Sequence, residues 1–230
     1  MYIKNRIVAL IYRCVLIVVC GIGLYITTGL YRGSFSSNSL VYYTTLSNLL
    51  CFLFYILLII RNAANLINGD KAVRMLLPRL KGVFTLMITI TMIVYHFMLA
   101  GLYADGDFSF YLQNLILHYI VPSMVIFDWI LFDPKRTFHS LDPLYWLSVP
   151  ILYSAFSLIR AEIGGMLPGR TTRYPYFFLD IDEIGWVGVL TYVALFALVF
   201  AILGYLIWAL DRFVFDMKKS GSRKNERNSA

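Results

Sequence analysis

Apolar residues in this chain gather into six long runs, 7–30, 40–60, 84–103, 111–132, 144–160 and 187–210, separated by shorter polar segments. Each run is close to the roughly 17–25 residues that a helix needs to cross a hydrocarbon layer. None alternates polar and apolar residues with period two, which disfavours a transmembrane β-barrel. The pattern predicts an all-α integral membrane protein built as a six-transmembrane-helix bundle. One membrane domain over 1–216 is expected, followed by a basic, disordered cytoplasmic tail over 217–230. The first run opens with Lys4 and Arg6 as a signal peptide does, but it is too long for an h-region and no small-residue cleavage site follows. It is expected to remain as the first helix.

The breaks between runs have recognisable chemistry. The 61–81 segment, with Asn68-Gly69-Asp70 and Pro78, reads as a cytoplasmic turn with an interfacial helical piece. Asp133-Pro134-Lys135-Arg136 reads as a sharp stop, because proline disfavours helix in the residue before it. The longest loop, 161–186, opens with Gly164-Gly165 and Pro168-Gly169 and carries the aromatic segment Tyr174-Pro175-Tyr176-Phe177-Phe178. An acidic run of Asp180, Asp182 and Glu183 follows. Aromatic rings at that level suit a membrane interface or a lid over a cavity mouth.

Composition strengthens this picture. Hydrophobic residues make up 60% of the chain, charged residues 14%, and mean hydropathy is +0.71, more apolar surface than a soluble domain of this length can hide. The net charge of +7 raises the possibility of a nucleic-acid partner, but the distribution of charge argues against one. With the N-terminus inside, fifteen Lys and Arg residues fall on the inner side against four (Arg32, Arg160, Arg170 and Arg173) outside, and the 104–110 loop holds Asp105 and Asp107 with no base. That asymmetry predicts both termini cytoplasmic, a multi-pass protein of the plasma (cytoplasmic) membrane, and contact with anionic headgroups at the cytoplasmic face. Cys14, Cys20 and Cys51 all lie in apolar runs and behave as small hydrophobes. No metal-type spacing is present, and no metal or cofactor is expected.

Candidate chemistry sits where polar groups interrupt the runs. His118 lies in the middle of the fourth run with Asn114 four residues earlier, which places both on one helical face. An ionisable group at membrane depth marks function by default. In the second run Thr44, Ser47 and Asn48 share a face, with Thr45 beside them. At about 1.5 Å per residue, Thr44 and His118 fall within one turn of each other in depth. Tyr95 and His96 on the third run, and Tyr153, Ser154 and Ser157 on the fifth, reach the same layer, and Tyr95, His96, Tyr153 and Ser157 are candidate substrate-binding residues. Arg160 and Glu162 flank the outer end of the fifth run, where the arginine is expected either to pair with Glu162 at the surface or to bind a substrate carboxylate. Asp128 reads as an ion-pair or topology residue near the inner end, and His139 as a surface histidine. A hydroxyl and an imidazole at one depth permit nucleophilic acyl transfer. Asn48, Asn114 and Ser47 are then available as orienting or oxyanion groups.

YYTTLSNLL at 42–50, NLILHYIVP at 114–122, DWILFDPKR at 128–136, SLIR at 157–160 and YPYFFLD at 174–180 together resemble a family of predicted bacterial six-helix membrane proteins. The resemblance covers nearly the whole membrane portion. More remotely, the pattern is similar to the androgen-induced membrane proteins, intramembrane threonine hydrolases of fatty acid esters of hydroxy fatty acids. That likeness implies a nucleophile at Thr44 and a catalytic histidine at His118, preceded by Asn114. Thr45 leaves the nucleophile open between two neighbours, and Ser47 at i+3 favours Thr44. The expected function is an intramembrane hydrolase of lipid esters, of the fatty acyl ester class, working in an outer-leaflet cavity. The alternative is a non-enzymatic membrane protein, a small-solute carrier or an assembly partner, using the same polar cavity for binding.

Overall fold

A computed structural model describes residues 3–69, 76–102 and 108–214. The basic tail over 217–230, Asp105 and Asp107, and Lys71 and Arg74 of the 61–81 segment lie outside the described residues. The described residues are mostly helical, with no strand among them. Six helices are long and apolar enough to cross a membrane: α1 (Arg6–Thr27), α2 (Tyr43–Ile67), α3 (Pro78–Leu99), α4 (Phe108–Phe132), α5 (Asp142–Gly164) and α6 (Ile181–Phe213).

The ends of the helices follow local chemistry more than hydropathy. Asn5 caps α1 by accepting from the N–H groups of Ile7 and Val8 at 3.0 and 3.2 Å. Pro78 begins α3 at a position where its missing N–H costs nothing, so α3 starts well before the apolar run at 84. Lys81 is therefore inside the helix and buried, not in a loop. The acidic run expected in the last loop begins α6 instead. Asp180 caps it by accepting from Asp182 N and Glu183 N, and Asp182 and Glu183 occupy its first turn, where the helix dipole favours negative charge. The helix then breaks at Gly185, whose φ of 67° is open to glycine and strained for other residues.

Helix α1 shows how the bundle sorts its side chains. Ile7, Ile11, Val15, Val18 and Ile22 form an exposed stripe, while Ala9, Arg13, Leu16, Cys20 and Leu24 are buried on the opposite face. The single charged residue within the apolar run faces inward and the large hydrophobes face out, the reverse of a soluble helix. A core of Leu16, Cys20, Cys51, Phe54, Met87, Leu117 and Val121 joins α1 to α4, and a second, around Trp129, Trp146 and Phe200, joins α4, α5 and α6.

The two described ends of the chain lie at one end of the bundle. Ile3 N donates to Leu131 O at 2.6 Å and Arg136 N to Asp211 O at 3.2 Å, which ties residue 3 and residue 211 to the same end of α4 and the turn after it. The first helix crosses the fourth closely, and a Cβ added at Gly23 would stand 2.6 Å from Leu117 Cδ2 and 2.9 Å from its Cγ. Gly23→Ala is expected to destabilise the bundle by about 1–3 kcal/mol, as overpacking does, read as a lower thermal unfolding midpoint in detergent.

Candidate active site

Thr44 lies in the first turn of α2. Its Oγ1 is 3.0 Å from His118 Nε2. His118 Nδ1 is 3.1 Å from the carbonyl oxygen of Asn114. A carbonyl only accepts, so Nδ1 carries the proton and Nε2 is left with its lone pair facing the threonine. Thr44 therefore donates its O–H to Nε2. This tautomer is the one a general base needs. Asn114 contributes its backbone carbonyl to the imidazole, whereas the sequence pattern had suggested its side chain, which lines the cavity.

His118 sits on a π turn, Ile116–Ile120, inside α4, and Tyr95 on another, Tyr95–Leu99, inside α3. Such widened turns recur at functional sites because they shift side chains off the regular helical register. Here they bring the two rings together, stacked with centroids 3.7 Å apart and planes inclined by 20°. The imidazole plane is thus held between a ring on one face and hydrogen bonds at both nitrogens.

The helix-two cluster supports this arrangement from behind. The Asn48 amide donates to Thr44 O at 2.8 Å and to Leu117 O at 3.1 Å, which ties the turn carrying the threonine to the turn carrying the histidine. Both of its N–H groups are engaged by carbonyls, so its place is that of an orienting residue and not of an oxyanion donor. Its Oδ1 is buried with no partner. Ser47 Oγ donates to Thr44 O at 3.0 Å and lies 2.8 Å from Thr91 Oγ1 on α3. Asn48→Leu is expected to cost about 1–3 kcal/mol, measured by thermal unfolding, because the buried side-chain tie between Thr44 O and Leu117 O is lost, with only Ser47 Oγ still donating to Thr44 O.

The remaining candidates divide. Thr44, Thr45, Asn114, His118 and Tyr95 line a cavity of 240 Å³, together with Tyr42, Gln113, Arg170 and Tyr176. Thr44 and Tyr95 also line a narrower apolar cleft of 50 Å³ between α3, α5 and α6, where Tyr153, Ser154, Phe178, Phe196 and Phe200 form the walls. The Tyr153 hydroxyl donates to Val41 O at 2.9 Å. Ser157, one turn further along α5, is fully buried and lines neither space. His96 is exposed and lies 3.1 Å from the Tyr119 hydroxyl, away from the cavity. Arg160 also faces elsewhere. It donates to the carbonyls of Gly165 and Arg173 at 2.9 and 3.1 Å, and so fastens the segment that follows α5. Glu162 pairs with Arg173, which also grips Asp182 in bidentate fashion at 2.8 Å.

Among the cavity residues that were not site candidates from sequence, Tyr176 and Arg170 matter most. Tyr176 lines both spaces and accepts from Tyr43 N at 3.1 Å, so the segment after α5 reaches down to the start of α2. Arg170 lines the mouth, its guanidinium 5.4 Å from the Tyr42 ring centroid.

A second polar layer lies toward the other end of the bundle. Arg13 Nε donates to Asp128 Oδ1 at 2.8 Å and Arg13 Nη2 to Asp133 Oδ1 at 3.2 Å. Lys81 pairs with Asp128, stands 3.4 Å from Asp133, and donates to the Tyr55 hydroxyl at 2.7 Å. Tyr55 donates in turn to Asp128 at 3.1 Å. All five side chains are buried. Asp128 is wholly inside the bundle, paired with two cations, not at its rim. Arg13 escaped the sequence reading, although a lone charge inside an apolar run was the available signal.

No protein-family model, no curated protein and no solved structure matches this chain.

Proposed function

We infer that this protein is an intramembrane hydrolase of lipid esters, with Thr44 as nucleophile and His118 as general base. The observation that carries the reading is the relay of Thr44 Oγ1, His118 Nε2, His118 Nδ1 and the Asn114 carbonyl, at 3.0 and 3.1 Å, on the wall of a cavity. Hydroxyl, imidazole and orienting acceptor stand in the order that acyl transfer requires. The likeness of residues 42–50 and 114–122 to the threonine hydrolases noted above supports the same assignment.

The chemistry follows from the positions. Thr44 Oγ attacks the acyl carbon while its proton passes to His118 Nε2. The tetrahedral intermediate collapses, the ester C–O bond breaks, and the departing alkoxide takes that proton from the imidazolium. Water, deprotonated by His118, then attacks the acyl-threonine, and the acid leaves as the Thr44 hydroxyl is restored. Negative charge on the intermediate needs donors. The N–H groups of Thr44 and Thr45 lie in the first turn of α2, beyond reach of any carbonyl of that helix, and Tyr42 supplies no side-chain cap. They point toward the cavity end of the helix and are our choice for the oxyanion donors, in place of Asn48. The apolar cleft beyond Thr44, at 50 Å³, suits the few carbons of an acyl chain nearest the ester, with the rest of the chain lying sideways between helices. In this reading the six helices span the plasma membrane with both termini cytoplasmic, and the Thr44 layer lies in the outer half.

The test is ester turnover by purified protein in detergent micelles or nanodiscs, using a panel of fatty acyl esters and following release of the acid. Activity on at least one long-chain ester, dependent on both Thr44 and His118, is the expected result. A folded protein with no ester turnover across the panel turns the reading toward a binding or carrier role for the same cavity.

A further inference from the structure

At the end of the bundle opposite the candidate active site, a polar cavity of 60 Å³ lies between the start of α1, the end of α2 and the end of α4. Among the described residues, four basic side chains, Lys4, Arg6, Arg13 and Arg61, line it against one acid, Asp133. Asn5, Asn62 and Asn65 add amide groups, and Ile3, Ala9, Leu58, Leu76 and Phe132 supply apolar wall. The floor is fixed by the pairing of Arg13 with Asp128 and Asp133. The sides are fixed by Asn62 Nδ2 donating to Arg6 O at 3.3 Å and by Ile3 N donating to Leu131 O. This is a walled site, not a scatter of surface lysines.

Its chemistry selects an anion. The two acids and two bases of the buried layer, Arg13, Lys81, Asp128 and Asp133, balance one another. Lys4 and Arg61 are therefore additional positive charge around the same small space. About 10–15 Å³ accommodates one water, so 60 Å³ has room for the tetrahedral oxygens of a phosphate. Guanidinium groups match phosphate geometry, and basic pockets between membrane helices are natural seats for anionic headgroups. The apolar wall beside the charges suits the first carbons of a glycerolipid. We propose that this cavity binds the phosphate of an anionic phospholipid from the leaflet adjoining the chain's N-terminal end, independently of any activity at Thr44.

The experiment is thermal unfolding and native mass spectrometry of the purified full chain, with phosphatidylglycerol, phosphatidylcholine or inorganic phosphate added separately. Arg61 is exposed, and its replacement leaves the buried layer intact. The wild type is expected to retain phosphatidylglycerol at least tenfold more tightly than phosphatidylcholine and to unfold at a higher temperature with it. Arg61→Gln and Lys4→Gln should each lower that preference several-fold, and the pair should abolish it without changing the lipid-free midpoint. Equal retention of the two lipids, or an unchanged preference in the double variant, overturns the proposal. Protection by millimolar inorganic phosphate without protection by phosphatidylglycerol overturns it as well, because the site then serves a soluble anion.

Discussion

Thr44→Ala is expected to lower turnover of a lipid ester by roughly 10⁴-fold, with His118→Ala nearly as severe. The reason is geometric. The threonine hydroxyl has one acceptor suited to taking its proton, His118 Nε2 at 3.0 Å, and the imidazole is committed at its other nitrogen to Asn114. Removing either partner removes the same proton transfer, so the double variant should be hardly worse than the single ones. Thr44→Ser keeps the hydroxyl and should keep much of the activity. Thr45 lines the same cavity, but no contact joins its hydroxyl to the histidine, so Thr45→Ala should be mild. The measurement is the initial rate of acid release, taken beside a thermal unfolding curve for each variant. An additive double variant, or Thr45→Ala as the severe change, means that the pair does not act as one unit.

The second large effect concerns stability. Asp128→Ala is expected to cost about 3–5 kcal/mol, because Arg13 and Lys81 would be left buried with Asp133 alone to balance two cations. Against a typical total stability of roughly 5–15 kcal/mol, that is enough to impair folding of the whole bundle. Lys81→Met alone should be similarly harmful. Asp128→Leu combined with Lys81→Met should recover part of the loss, since a well-packed apolar pair often replaces a buried ion pair at little cost. Arg13 keeps Asp133 in that variant. Thermal unfolding in detergent and the yield of monodisperse protein read the effect. A near-neutral Asp128→Ala would mean that water reaches this layer freely.

The two layers explain what could be read in the sequence. The six helices were legible because each announces itself as an apolar run. Their ends were not, because Pro78 and Asp180 start helices by local hydrogen bonding that hydropathy does not register. Thr44 and His118 could be placed in one layer from depth along ideal helices. Even so, the partner of Nδ1 is a main-chain carbonyl, which no residue identity encodes. His96 was drawn toward the cavity by the same counting, which assumes a regular turn. The π turn at Tyr95–Leu99 breaks that assumption, turning Tyr95 inward against His118 and His96 outward to Tyr119. Lys81 was assigned to a loop because lysine usually is, and Arg13 vanished into an average over its apolar run. Both are tolerated inside because Asp128 and Asp133 come from a different helix and the turn after it, a pairing that sequence separation conceals.

The site also sets a limit on its own chemistry. Among the described residues no carboxylate lines the cavity around Thr44 and His118. The imidazole is oriented by a neutral carbonyl, so the imidazolium formed during attack is stabilised less than in a triad with an aspartate.

The most direct test is to treat the purified protein with a fluorophosphonate, digest it, and locate the phosphonyl adduct by mass spectrometry. Attack by an activated hydroxyl predicts a single adduct on the Thr44 oxygen, absent from Thr44→Ala and greatly slowed in His118→Ala. An adduct on Thr45 or another residue, or equal labelling of folded Thr44→Ala, would contradict the assignment of Thr44 as the nucleophile.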